Sequence, residues 1–123
     1  MRSIFYAALG ASFLATAAVT GSATGAIAAE GYSATDLLSS CTEADNDARW
    51  GEVAELECEQ YIHGFVDALQ ETGGAGVCPP AVNTADEVRW AYMRWVHEDF
   101  GAHKGMTAGA ALMGTLKDKF KCE

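Results

Sequence analysis

Residues 49–71 read RWGEVAELECEQYIHGFVDALQE, and the fold turns on this stretch. It holds no proline and only two glycines, Gly51 and Gly64, so nothing in it forces a helix to break. Placing successive residues about 100° apart gathers Ala54, Cys58, Tyr61, Phe65, Ala68 and Leu69 on one arc. Glu52, Glu55, Glu59, His63, Asp67 and Gln70 fall on the opposite arc. The pattern predicts one long amphipathic helix with its apolar side turned to a core.

Working outward, Thr35-Asp36-Leu37-Leu38 predicts a short capped helix that ends near Cys41. The polar run Thr42–Asp47 then predicts a loop. On the other side, Gly73-Gly74-Ala75-Gly76 stops the long helix, and Val77-Cys78-Pro79-Pro80 forces an extended turn. Thr84 and Glu87 are spaced as a capping box that opens a helix reaching about His97. Val88, Ala91, Tyr92, Trp95 and Val96 make its inner face. After a break near Phe100-Gly101, a last helix is expected from about His103 to Lys119, with Met106, Ala110, Met113 and Leu116 as its stripe. No stretch alternates with period two over a useful length. The predicted class is all-α, a small four-helix domain with no internal repeat.

Residues 1–29 have the order of a secretory signal peptide. Arg2 leads, an apolar run spans Ile4 to Val19, and small residues end in Ala26-Ile27-Ala28-Ala29. The apolar run is short for a membrane span. Cleavage leaves residues 30–123 as an exported domain, periplasmic or secreted, with no membrane attachment. Its 94 residues keep all 17 acids against 7 bases, a net charge of −10. A chain of this size buries only about 60–65% of its unfolded surface and needs staples. Cys41, Cys58, Cys78 and Cys122 supply them as two disulfides in an oxidising compartment. No Cys-x-x-Cys is present, so zinc and thioredoxin-like chemistry are not expected.

The precursor carries a net charge of −9, which excludes electrostatic binding to nucleic acid and disfavours anionic lipid. Residues 30–71 hold 11 acids and one base, whereas 72–123 hold six of each. The acidic half is either a solvated face or a docking face for a basic partner. Glu43, Asp45, Asp47, Glu52, Glu55 and Glu59 are its candidate contact residues. Glu59, His63 and Asp67 stand four apart and could line up on a metal, but ordinary helix-surface pairing gives the same spacing. His97, Glu98, Asp99 and His103 raise the same two readings around a helix break, and a histidine there can also meet free helix carbonyls. No metal or other cofactor is expected. Gly-x-Ser-x-Gly, His-Glu-x-x-His and phosphate-loop motifs are missing, and oxidised cysteines leave no thiol nucleophile. No catalytic residue is expected.

Trp90, Met93 and His97 lie opposite Val88, Tyr92 and Trp95 on their helix. Such a helix is either central in the bundle, the preferred reading, or exposes a contact patch in which Trp90 and Met93 anchor a partner. Gly101, Gly105 and Gly109 recur every four residues, a spacing that allows close helix approach.

The order Cys41, then Cys58-x-x-Tyr61-Ile62-x-Gly64-Phe65-x-Asp67-Ala68, then Cys78-x-Pro80, Tyr92-Met93, His97-Glu98, His103 and Phe120-x-Cys122 resembles the Rap/Tai immunity proteins. These are small periplasmic helical proteins that protect bacteria from peptidoglycan-cleaving amidase effectors of the type VI secretion system. The resemblance covers essentially all of residues 30–123. The chain departs from the family pattern at Cys78-Pro79-Pro80 (usually Cys-Leu-Pro), at His97-Glu98-Asp99 (usually His-Pro-Glu) and at Phe120-Lys121-Cys122 (usually Phe-Pro-Cys). The resemblance implies a non-enzymatic inhibitor, a homodimer, and a protruding loop that plugs the amidase cleft. Thr42–Asp47 is the preferred loop and Gly73–Val77 the alternative. With it goes a pairing of Cys41 with Cys58 and Cys78 with Cys122, one of three possible connectivities. The rival reading is a general envelope protein of the same fold, an acid-stress or client-binding helper. Its acids and three histidines would change charge between about pH 7 and 4 and expose the Trp90 and Met93 side.

Overall fold

The computed structural model describes residues 31–45 and 51–123. The expected leader, Asp47 and the Arg49 start of the long helix lie outside the described residues. The helices are α1 (Ala34–Glu43), α2 (Gly51–Glu71), α3 (Thr84–Glu98), the single turn α4 (Phe100–His103) and α5 (Ala108–Lys119), with a 3-10 turn at Gly74–Gly76. Two isolated bridges are the only β-type pairings among the described residues. The class is all-α, as the periodicity predicts.

The starts of α1, α3 and α5 each have a local chemical cause. Ser33, not Thr35, caps α1: its Oγ accepts from Asp36 N at 3.1 Å, and Asp36 Oδ2 accepts from Ser33 N at 2.8 Å. Those bonds from Ser33 hold the Asp36 carboxyl below the usual carboxylate range. At its other end α1 includes Thr42 and Glu43, which the polar run predicts as loop. The expected Thr84–Glu87 capping box does not form. Asn83 takes the N-cap with φ 54, and the Thr84 hydroxyl instead donates to the Pro80 carbonyl at 2.6 Å. The last helix begins at Ala108 rather than near His103. Thr107 caps it, and the chain just before it pairs with the start of α1 through Ala34 N to Met106 O (3.0 Å) and Ala108 N to Tyr32 O (2.8 Å). Gly101, Gly105 and Gly109 therefore fall on α4, a turn and α5, and do not form one helix face.

The core draws on all four long helices. Leu37 and Cys41 of α1, Cys58 and Ile62 of α2, Val88, Tyr92 and Val96 of α3, and Leu112 and Leu116 of α5 are fully buried. Burying a side chain of this size removes about 1.5–3 kcal/mol of unfavourable hydration. On α2 the buried line runs through Cys58, Ile62 and Val66; Tyr61, Phe65 and Leu69 only edge it, and Ala68 is exposed. On α5, Ala108, Ala111, Leu112 and Leu116 face inward, Ala110 is exposed, and Met106 (in the preceding turn) and Met113 are half-buried. Tyr92 is the largest fully buried side chain, and its hydroxyl donates to Ala34 O at 2.8 Å. Burial pushes its ionisation up.

Two staples and one clamp close the structure. The disulfides join Cys41 to Cys58 and Cys78 to Cys122, the pairing expected from the family resemblance. The first lies inside the core, whereas Cys78 is exposed. Around the second, Cys78 N donates to Phe120 O at 2.6 Å and Cys122 N to Gly76 O at 3.0 Å. In the clamp, the Tyr32 and Ser40 hydroxyls both donate to Glu57 Oε1, tying α1 to α2. Burial and the Glu57 partner push the Tyr32 phenol up to about 12, and the same two donors hold Glu57 below its usual range. Trp95 is wedged between the His103 ring, stacked at 3.6 Å, and Gly114, where an added Cβ would stand 2.7 Å from the indole.

Four outcomes are expected. Mild reductant followed by alkylation and mass spectrometry should label Cys78 and Cys122 before Cys41 and Cys58. The double variant C78S/C122S, which opens a loop of 44 residues, should lose about 3–4 kcal/mol in urea unfolding. Gly114→Ala should lose about 1–3 kcal/mol, because the indole it strikes can give way only by disturbing its stack on His103. On the acid side, a carboxylate whose folded pKa is lowered stabilises the fold above its unfolded value and loses that contribution as pH falls through the folded one. Melting temperature should therefore fall as pH drops below about 4.5, and Tyr32→Phe with Ser40→Ala should flatten that limb.

Candidate functional site

Asp45, just after α1, is held by one base that the sequence does not single out. Arg89 of α3 is only 7% exposed, and its guanidinium meets Asp45 at 2.9 Å and Asp86 at 3.3 Å. Among the described residues its Nε has no partner. A buried cation is held in place only by such pairs, so Asp45 is fixed by a contact 44 residues along the chain. The signal was present in the spacing: residue 89 completes the stripe 85, 88, 92, 96 at helical intervals, and all five are buried. The guanidinium also lies 5.2 Å from the centre of the Trp90 ring, a cation–π contact.

Trp90 itself is 42% exposed. The preferred expectation of central burial is thus overturned: α3 packs against α1, α2 and α5 on its Tyr92 side and leaves Trp90 at the surface. Trp90, Met93, Arg94, His97 and Glu98 line an open groove of about 500 Å³. A second hollow of about 290 Å³ follows directly, sharing His97 and adding Glu43, Leu38 and Phe100. The His97 and Phe100 rings stack with centres 6.2 Å apart. His103, not His97, meets a helix carbonyl, through Nδ1 at 2.9 Å from Trp95 O. The structure therefore brings Glu43, Asp45, Trp90 and Met93 to one side of the molecule, linked by Arg89 and His97.

Glu52, Glu55 and Glu59 belong to α2 instead. Glu52 and Glu55 are exposed, and Glu59 lines a polar hollow with His63, Asn83, Thr84 and Asp86. Among the described residues no group of three or more His, Cys, Asp or Glu side chains could hold a metal ion. The Tyr32–Ser40–Glu57 clamp is the nearest approach to a reactive cluster. It has no imidazole to take the Ser40 proton, and a carboxylate held low is a poor base. The Gly73–Val77 segment carries left-handed φ at Gly73, Gly74, Ala75 and Gly76 and ends on buried Val77, bridged to Lys121. It is stapled to the carboxyl end rather than presented freely. What the site offers chemically is a recognition surface: carboxylates, an exposed indole and a thioether around a groove.

Comparison with curated proteins and with solved structures returns no match. A family model, described as Rap1a immunity proteins, matches residues 33–122. That span begins at the α1 cap Ser33 and ends at the second cysteine of the last disulfide, so it takes in every described helix, both staples and all the surfaces above. The chain belongs to the Rap1a immunity protein family.

Proposed function

We propose that residues 1–29 export this protein to the bacterial periplasm and that residues 30–123 bind and block a peptidoglycan amidase effector of a type VI secretion system, without chemistry of their own. Membership of the immunity family over residues 33–122 is the observation that carries this reading. Two disulfides suit an oxidising compartment, and no described helix is long and apolar enough to cross a membrane. The recognition surface would be the acidic α1–α2 junction, Glu43 and Asp45, together with Trp90 and Met93. An indole and a thioether beside a groove are the residue types that anchor protein interfaces, and the carboxylates around them steer a basic partner. Glu52 and Glu55 would extend the same field along α2.

The test starts from the neighbouring gene: on this reading it encodes a secreted amidase, and that enzyme is the target of the assay. Stoichiometric mature protein should abolish its activity on peptidoglycan, and a deletion strain should lose in competition with its parent. W90A/M93A should weaken binding at least about tenfold, chiefly through faster dissociation. Glu52→Lys with Glu55→Lys should slow association and reduce its dependence on salt. An uninhibited amidase and a deletion strain that survives its parent would overturn the reading.

A further inference from the structure

Val53 and Leu56, in the first two turns of α2, are 61% and 58% exposed. Gly51 before them and Cys58 after them are buried, so this part of the helix is packed and its rotation points both side chains outward. Gln60 and Gly64 continue the same ridge at helical spacing. At Gly64 no atom of the described residues, apart from the adjoining backbone of the helix itself, lies within 4 Å of where a Cβ would sit, so the ridge passes from two apolar knobs to bare, open backbone. A helix laid along it could seat its own side chains at that step.

Charge selects the occupant. Glu52, Glu55, Glu59, Asp67 and Glu71 accompany the ridge, and α2 contains no lysine or arginine. A second copy packed here would set this acidic row against another at the 8–10 Å separation typical of packed helices. Like charges so placed oppose the contact. We propose that the Val53–Leu56 ridge docks a basic amphipathic segment of a protein partner, a helix whose apolar stripe is edged by lysine or arginine. The proposal deepens the immunity reading and rests on it for the partner's biological identity. The partner's chemistry follows from α2 alone.

The probe is a labelled peptide of about 18 residues made of leucine and lysine in a 3.6-residue pattern. A scrambled peptide of equal composition and a leucine–glutamate peptide serve as controls. Fluorescence anisotropy with the mature protein should show binding of the patterned basic peptide only. V53S/L56S should weaken it at least about tenfold, and E52Q/E55Q/E59Q should weaken it and flatten its salt dependence. Circular dichroism should show both variants folded, since every altered side chain lies at or near the surface. Equal binding of the scrambled peptide, or no loss in V53S/L56S, would overturn the proposal. So would sedimentation showing a self-association that V53S/L56S abolishes. Patterned binding beside an uninhibited amidase would support the ridge and sink the immunity reading. Amidase inhibition that V53S/L56S leaves intact would do the reverse.

Discussion

The buried hydrogen bond from the Tyr92 hydroxyl to the Ala34 carbonyl fixes the rotation of α3, and the surface follows from that rotation. A phenol closed off from water needs an acceptor, and the first turn of α1 supplies one. With Tyr92 turned inward, Val88 and Val96 follow it on the same face. Trp90, two residues away along a helix, then points out. Arg89 sits at the boundary, buried by its stem but able to extend its guanidinium to Asp45.

That placement joins stability to recognition. Residues 30–71 carry all of the exported domain's excess negative charge, and Arg89 is a cation that the carboxyl-terminal half buries against it. It holds the end of the α1 region beside the Trp90 groove, so carboxylates and an exposed indole share one side of the molecule. On α2 the acids have no such counter-charge within the helix and surround Val53 and Leu56 instead. The disulfides make these exposures tolerable. A domain with this small a core can leave large apolar side chains at its surface only if cross-links limit its unfolded state.

Much of this was legible in the sequence. The long helix, observed over Gly51–Glu71, follows from periodicity and the absence of proline, and the helical class from the lack of alternation. The inner face of α3 reads correctly because its large residues repeat at helical spacing on one side. On α2, the bulky Tyr61 and Phe65 draw the inferred core face toward themselves. They cover the edge of the core, while the slimmer Ile62 and Val66 fill it. Cap positions were less legible, because the Thr84 hydroxyl can accept from the Glu87 amide or donate to a carbonyl, and the Pro79-Pro80 turn supplies the carbonyl. Arg89 stands at a stripe position by spacing, but its charge argues for the surface. Its burial depends on Asp45, far away in the chain, and only the completed fold brings the two together.

Hydrogen exchange measured with and without a candidate amidase effector tests the central claim most directly, because it reads where a partner sits without altering a residue. The account predicts added protection at the carboxyl end of α1, around Glu43, in the first turns of α2, and along α3 from Trp90 to Glu98, with Gly73–Val77 unchanged. Protection confined to the Gly73–Val77 turn and α5, with α1 and α3 unaffected, would contradict it.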